Sequence, residues 1–225
     1  MYQLHIANKN YSSWSLRPWI LMRMLDIGFV EQLHPFGTGA SFTQFSSSGL
    51  VPCLVDGDQS VWDSLAITEY LAERHAGVWS ESSAARSWSR SASGEMHSGF
   101  GHLRNLYSMS CGVRIQPNPA TAGLARDLAR IDQLWNDGLA RFGGPFLAGT
   151  RFTAVDAFFA PVAFRFQSYG HALSGAAIDY WQTVLALPAM REWYEAALLE
   201  PWRDESHERE MTSAGVLLDD FRTAR

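Results

Sequence analysis

Cysteine is scarce in this chain: Cys53 and Cys111 are the only two among 225 residues. Two cysteines are too few for a disulfide framework, and neither has a cysteine or histidine at the spacing of a metal site. We therefore expect both to be small buried hydrophobic side chains, and we expect no metal.

Long hydrophobic runs and a surplus of positive charge are also missing. No stretch of about 18 apolar residues could span a membrane, and the first residues lack the basic flank and apolar run of a signal peptide. The formal net charge is −5, and the arginines are scattered rather than arranged in a stripe. These absences argue against nucleic acid and membranes as partners and predict a cytoplasmic protein that binds a small molecule.

The beginning of the chain alternates between strand and helix patterns. Hydrophobic residues make up 47% of the sequence, enough for one large domain or two small ones with real cores. Residues 2–7 and 29–33 are typical of strands, and residues 15–25 carry apolar side chains at helical intervals. Asp56-Gly57 predicts a hairpin before a helix that begins at Leu65 and ends near Gly77. Residues 1–77 are thus predicted to form an α/β domain.

The remainder is rich in helix patterns and contains no convincing strand. After a serine-rich linker, helices are predicted over residues 88–113, 121–142, 153–167, 178–185 and 188–199. Thr153 and Asp156 have the spacing of a capping box, which predicts a helix start. We expect an all-helical domain over residues 86–203, followed by a charged tail, residues 204–225, that is either docked or partly disordered.

Residues 47–71 form the most specific stretch. Val51-Pro52 interrupts an extended apolar run, and proline is the residue for which a cis peptide bond is accessible, so the backbone here can turn toward a ligand. Asp63 and Ser64 precede an apolar helix pattern. A carboxylate, a hydroxyl and free backbone N–H groups therefore meet where helices attract anions. Together these features predict a pocket for an acidic, peptide-like ligand.

Three motifs resemble the cytosolic glutathione S-transferase superfamily. NYSSWSLRPW, at residues 10–19, is similar to the serine-type opening of zeta-like (maleylacetoacetate isomerase-like) bacterial members. VPCLVDG with the later Asp-Ser pair, and EMHSGFGHLRN at residues 95–105, extend the resemblance over nearly the whole chain. It implies a glutathione transferase fold, a thioredoxin-like domain followed by a helical domain, with glutathione as co-substrate. It also implies a homodimer and a role in detoxification.

The resemblance places a catalytic serine at Ser12, with Ser13 as the close second. The reaction needs the glutathione thiolate, and because a free thiol has a pKa of about 8.5 the protein must lower it. A hydroxyl that donates a hydrogen bond to sulfur near a helix N-terminus favours the thiolate. The structural alternative is that one of these serines, or Ser15, only caps the helix.

The same resemblance assigns contacts to glutathione. Val51 would offer its backbone N–H and C=O to the cysteinyl part, with Pro52 in cis geometry. Asp63 would face the γ-glutamyl ammonium group, while Ser64 and the helix amides would face the γ-glutamyl carboxylate.

The glycyl carboxylate of glutathione has no obvious partner. Family members often carry a basic residue or a glutamine in the loop before Val51, which here contains only Gln44 and hydroxyl groups. Arg17 and His34 are further candidates, and spacing does not choose between the three.

The second substrate would bind between the two domains. Trp14 stands where zeta enzymes often carry a cysteine and would form an apolar wall. Arg104 and Tyr107 share a helical stripe and are the candidates for contact with a polar substrate. A core or a dimer interface accounts for most of the stripe.

The leading functional prediction is a glutathione S-transferase that conjugates a small electrophile. Isomerisation of an electron-poor double bond uses the same thiolate by reversible addition. A glutathione transferase-like module that binds without turnover is the alternative from a different class. A reductase or peroxidase fits least, because such enzymes usually rest on a cysteine where this chain has Ser12 and Trp14.

Overall fold

The computed structural model describes residues 1–39 and 41–223, and its first part is a small α/β unit. Its elements are β1 (Tyr2–Ile6), α1 (Ser13–Met24), β2 (Phe29–Leu33), β3 (Cys53–Asp56), β4 (Gln59–Val61) and α2 (Ser64–Ala72). The sheet has the strand order β2-β1-β3-β4. β1 and β2 pair in parallel, and β3 pairs antiparallel with both β1 and β4.

This arrangement buries the apolar positions expected from the alternation in sequence. Leu4 and Ile6 of β1 and Ile20 of α1 are fully buried. The β3–β4 hairpin turns at Gly57, whose φ of +58° lies in the left-handed region that glycine adopts readily. The predicted βαβ opening, hairpin and thioredoxin-like first domain are confirmed.

The second part is built mainly from helices around a buried central one. Its helices are α3 (Ser83–Ser98), α4 (Gly101–Leu106), α5 (Ala122–Phe142), α6 (Ala154–Tyr169), α7 (Ala177–Ala186), α8 (Pro188–Leu199) and α9 (Glu205–Ser213). α6 is the central helix, and almost all of its side chains are buried. In the described part of the chain, no helix combines the length and apolar character needed to cross a membrane.

The capping box at the start of α6 is present, as predicted. The Asp156 carboxylate accepts hydrogen bonds from the backbone N–H groups of Thr153 and Leu147, each at 2.9 Å, and from the Tyr180 hydroxyl at 3.2 Å. Asp156 is fully buried, and this burial raises the pKa of its carboxyl group to about 6. One side chain therefore joins α6, the preceding loop and α7.

The chain after residue 98 departs from the prediction of one helix over residues 88–113. α3 ends at Ser98, Phe100 adopts a left-handed φ of +54°, and after α4 the chain enters a strand, β5 (Val113–Pro117). β5 pairs antiparallel with β6 (Gly215–Asp220) from the tail. The expectation of no strand beyond the first domain is wrong, because each of these strands is stabilised by a partner far away in sequence.

The tail is docked, which decides between the two alternatives left by the sequence. It contributes α9 and β6, and β6 completes a two-stranded sheet. Residues 224 and 225 of the predicted tail lie outside the described residues.

Candidate active site

A cavity of about 700 Å³ opens between the two parts of the molecule. One side of it comes from the turn between β1 and α1, the loop that leads into β3, and the residues just before α2. The other side comes from α4 and the segment after it, from α6, and from α9. A cleft with walls from both domains can hold two small molecules side by side.

Most of the residues singled out in the sequence line this cavity. They are Ser12, Ser13, Trp14, Val51, Pro52, Asp63 and Arg104. The Val51–Pro52 peptide bond is cis, as predicted. The fold thus brings together four segments that are separated in sequence.

Five other residues singled out in the sequence do not line the cavity. Gln44 is exposed on a short 3-10 turn, and Tyr107 is buried with its ring stacked on Tyr169, the centroids 4.2 Å apart. Ser64 is fully buried, and its Oγ has no hydrogen-bond partner among the described residues. Arg17 is also buried, so contact of the buried members with a ligand requires rearrangement. His34 is partly buried and stacks on His5, with the ring centroids 5.1 Å apart.

The two neighbouring serines make different hydrogen bonds. Ser12 Oγ donates to Ser15 Oγ at 2.7 Å, and Ser15 Oγ also accepts from the Ala7 backbone N–H at 3.3 Å. Ser13 Oγ instead accepts a hydrogen bond from Arg165 Nη2 at 3.4 Å. Ser12 occupies the N-cap position of α1, but its side chain makes no capping hydrogen bond in the described structure.

Arg165 is a site residue that the sequence analysis missed. It lies on α6, is almost completely buried, and lines the cavity. Its Nε donates to the Tyr107 backbone oxygen at 2.7 Å, which holds the guanidinium beside Ser13. Burial lowers its pKa to about 10, and the nearby Arg104 acts in the same direction. A single charged residue within the apolar stretch FFAPVAFRF was the available signal.

Arg17 is held between aromatic rings rather than by a carboxylate. Its guanidinium carbon lies 4.1 Å from the Trp14 ring centroid and 4.9 Å from that of Phe158. Burial lowers its pKa to about 9, with Arg165 and Arg104 contributing in the same sense. Positive charge is therefore concentrated beneath the serine end of the cavity.

Asp63 joins the start of α2 to the second domain. Its Oδ1 caps the helix by accepting from the backbone N–H groups of Leu65 at 2.9 Å and Ala66 at 3.4 Å. Its Oδ2 lies 3.3 Å from His97 Nε2 on α3. Because the Asp63 side chain remains about half exposed, it is also accessible to a ligand cation.

The turn that carries the serines is held by the second domain. Glu200 accepts from the Lys9 backbone N–H at 2.7 Å and from the Asn10 backbone N–H at 3.3 Å. Trp193 Nε1 donates to the Lys9 backbone oxygen at 2.9 Å. These contacts come from α8 and its C-cap, so the position of the serines depends on the second domain.

The docked tail forms one wall of the cavity. His207 of α9 stacks between the rings of Tyr11 and Phe36, with centroid distances of 4.9 and 5.1 Å. The Tyr11 hydroxyl donates to Glu208 Oε1 at 2.6 Å. Burial and this contact raise the pKa of Tyr11 well above its usual value. His207 and Glu210 line the cavity.

The fold and the cavity together define a class of protein: a thioredoxin-like domain joined to a helical domain, with serines at the first helix and a cis-proline facing the cleft. Family models for the N-terminal and C-terminal domains of glutathione S-transferases match residues 11–74 and 118–196. These two models together cover more than half of the chain. The chain belongs to the glutathione S-transferase family, a family of glutathione transferase enzymes.

Individual relatives agree with this assignment. Glutathione S-transferase 3 of Zea mays is 28% identical over 170 residues, which is 71% of each chain. A glutathione transferase homologue from Burkholderia GL BGR1, solved with bound glutathione, has a TM-score of 0.65 at 16% identity, covering 87% of this chain and 97% of its own. A theta class enzyme from Xanthomonas axonopodis pv. citri, also with glutathione bound, has a TM-score of 0.63 at 20% identity, with 86% and 96% coverage. The two structures demonstrate likeness of fold.

Proposed function

We propose that this protein binds glutathione in the cavity and activates its thiol with a serine hydroxyl for conjugation to a small electrophile. The observation that carries the proposal is the meeting of Ser12 and Ser13, the Val51–Pro52 segment and Asp63 on one wall. Two related folds with bound glutathione support the choice of ligand. In this arrangement Val51 meets the cysteinyl backbone and Asp63 meets the γ-glutamyl ammonium group.

The hydrogen bonds of the two serines favour Ser13 over Ser12 as the sulfur donor. The Ser12 hydroxyl already donates to Ser15, whereas Ser13 Oγ accepts from Arg165. None of the described residues accepts a hydrogen bond from the Ser13 O–H, so it is available to a ligand. The cationic guanidinium beside Ser13 also stabilises a developing thiolate. Ser13 with Arg165 therefore has both features that lower a thiol pKa: a free donor and a positive charge.

Calorimetry with glutathione tests the proposal directly. We expect saturable binding and, because glutathione binds only the folded state, a higher thermal midpoint. Asp63→Asn keeps a good N-cap for α2 but removes the charge that faces the ammonium group, so binding is expected to weaken by about tenfold with little loss of stability. Asp58→Asn, on the exposed hairpin turn, is the matched control.

Two results would contradict the proposal. One is the absence of both binding heat and thermal stabilisation at millimolar glutathione. The other is an equal loss of affinity in the Asp63 and Asp58 variants, which would place the γ-glutamyl group elsewhere.

The resemblance to the superfamily supports further proposals about the whole protein. These are a homodimer in the cytoplasm, a role in detoxification, and a division into residues 1–77 for glutathione and 86–203 for the second substrate. Light scattering of the purified chain measures its oligomeric state, and a monomer would contradict the proposed homodimer.

A further inference from the structure

The wall that the second domain contributes to the cavity is mostly polar. Its polar members are Arg104, Asn105, Ser108, Arg165, His207 and Glu210. The opposite wall carries the large apolar side chains, among them Trp14, Phe36 and Leu50. Small-molecule pockets are usually apolar with few polar groups, so a wall of this composition indicates a second substrate with a charged or strongly polar part.

Arg104 and Arg165 supply positive charge to this wall. Burial lowers the pKa of Arg104, and the Asp127 carboxylate acts on it from a distance in the opposite direction but forms no ion pair with it. Among the described residues, neither has a carboxylate oxygen within 4 Å of its guanidinium. Arg104 donates one hydrogen bond, from Nη1 to the His97 backbone oxygen at 3.1 Å. A guanidinium group has five N–H donors, so most of those of Arg104 remain available.

Two carboxylates, those of Asp63 and Glu210, also line the cavity and contribute to its net charge. Asp63 lies at the start of α2, where its Oδ1 caps the helix and its Oδ2 lies 3.3 Å from His97 Nε2. Glu210, on exposed α9, lies near enough to Arg165 to influence its pKa without forming an ion pair. With Arg17 buried close by, the local balance stays positive. Desolvated cations without partners are costly, and a ligand anion placed here offsets that cost.

The anionic groups of glutathione account for only part of this charge. In the proposed function its thiolate lies beside Ser13 and Arg165, and its γ-glutamyl end lies at α2. Its glycyl carboxylate lies along the loop before Val51, on the wall opposite Arg104. Arg104 is not hydrogen-bonded to either serine; its guanidinium carbon lies 5.4 Å from the Trp14 ring centroid, on the side of the second domain. We propose, on the basis of that function, that the electrophile carries a carboxylate or similar anionic group held by Arg104, with Arg165 assisting.

Two glutathione conjugates that differ in one carboxylate test this proposal without requiring turnover. The probes are S-(2,6-dinitrophenyl)glutathione and S-(4-carboxy-2,6-dinitrophenyl)glutathione, and calorimetry measures the dissociation constant of each. We expect the carboxylated conjugate to bind about tenfold more tightly, as for a hydrogen-bonded ion pair that is half exposed. Arg104→Gln is expected to abolish most of this preference, and Arg104→Lys to retain part of it.

The control variant is Arg126→Gln, an exposed arginine on α5 remote from the cavity wall, which should leave both dissociation constants unchanged. Equal binding of the two conjugates to the unmodified protein overturns the proposal. So does a loss of affinity in Arg104→Gln that is the same for both conjugates. If neither conjugate nor glutathione binds, the proposed function fails as well. Binding of glutathione and both conjugates with no carboxylate preference overturns this inference alone.

Discussion

Two adjacent hydroxyl groups at the start of α1 face different neighbours, and the roles proposed for them rest on this difference. Ser12 is turned toward Ser15 within its own domain, whereas Ser13 meets Arg165 from α6. A hydroxyl that accepts from a cation keeps its hydrogen for another acceptor. The choice between the two serines therefore depends on Arg165, and the motif around the serines contains no information about that residue.

Substituting each serine separately tests which one contacts sulfur. Ser13→Ala is expected to raise the thiol pKa of bound glutathione by about one unit, equivalent to about 1.4 kcal/mol, because the hydrogen bond to the thiolate is lost. Ser12→Ala serves as the matched variant and should change the pKa less. Thiolate absorbance titrated against pH in the presence of saturating glutathione measures both. A larger shift in Ser12→Ala would reverse the assignment.

At the scale of elements, α6 combines a structural and a chemical role. Its first turn is held by Asp156, and about two and a half turns later it presents Arg165 to the cavity. Because nearly all its side chains are buried, displacement of this helix would be transmitted to the serine end of the site. The capping box was recognisable from local spacing, since it involves residues three apart.

The buried Asp156 predicts a specific pH dependence of stability. Its folded-state pKa is raised to about 6, so the folded protein binds this proton more tightly than the unfolded chain does. The contribution of this group is therefore fully present below pH 4 and is lost as the pH rises through about 6, by about 3 kcal/mol in total. Urea denaturation from pH 4 to pH 8 measures it.

Asp156→Asn isolates that contribution because asparagine does not titrate. The unfolding free energy of the unmodified protein minus that of Asp156→Asn should decrease as the pH rises. A difference that stays constant across the range would show that Asp156 keeps an ordinary pKa.

The helices of the second domain also show the limit of local patterns. α5 to α8 are close to their predicted bounds, because each carries its own periodicity and end signals. The predicted helix over residues 88–113 is wrong because its second half is interrupted at Phe100 and then recruited into β5. Among the described residues β5 pairs only with β6, so it is stabilised by a contact that no local window contains.

At the scale of the whole molecule, the tail closes one side of the cavity through a network of charges. Arg222 pairs with Glu208 and with Asp220, and its Nη1 also donates to the Tyr11 hydroxyl at 3.3 Å. Gly112 leaves room for this arginine, since a Cβ at that position would collide with it. The last described residues thus secure the turn that carries the serines.

Removing Arg222 should loosen this wall. Arg222→Ala leaves two carboxylates without their partner, and since both are partly exposed we expect a loss of about 2 kcal/mol in unfolding free energy. Faster cleavage of the tail in limited proteolysis should accompany it. Arg209→Ala removes an exposed arginine from the same region and should have little effect on either measurement. Equal behaviour of the two variants would show that the network does not hold the tail.

The sequence by itself determined the two-part architecture, the thioredoxin-like opening, the cis-proline segment and the start of α6. Each of these follows from local backbone preferences or from apolar periodicity within one element. Tertiary structure decided which serine has a free hydrogen, that Arg165 stands beside it, and that the tail becomes a wall of the cavity. Those properties arise from contacts between residues far apart in the chain, whose energies depend on burial and on charges that only the folded molecule brings together.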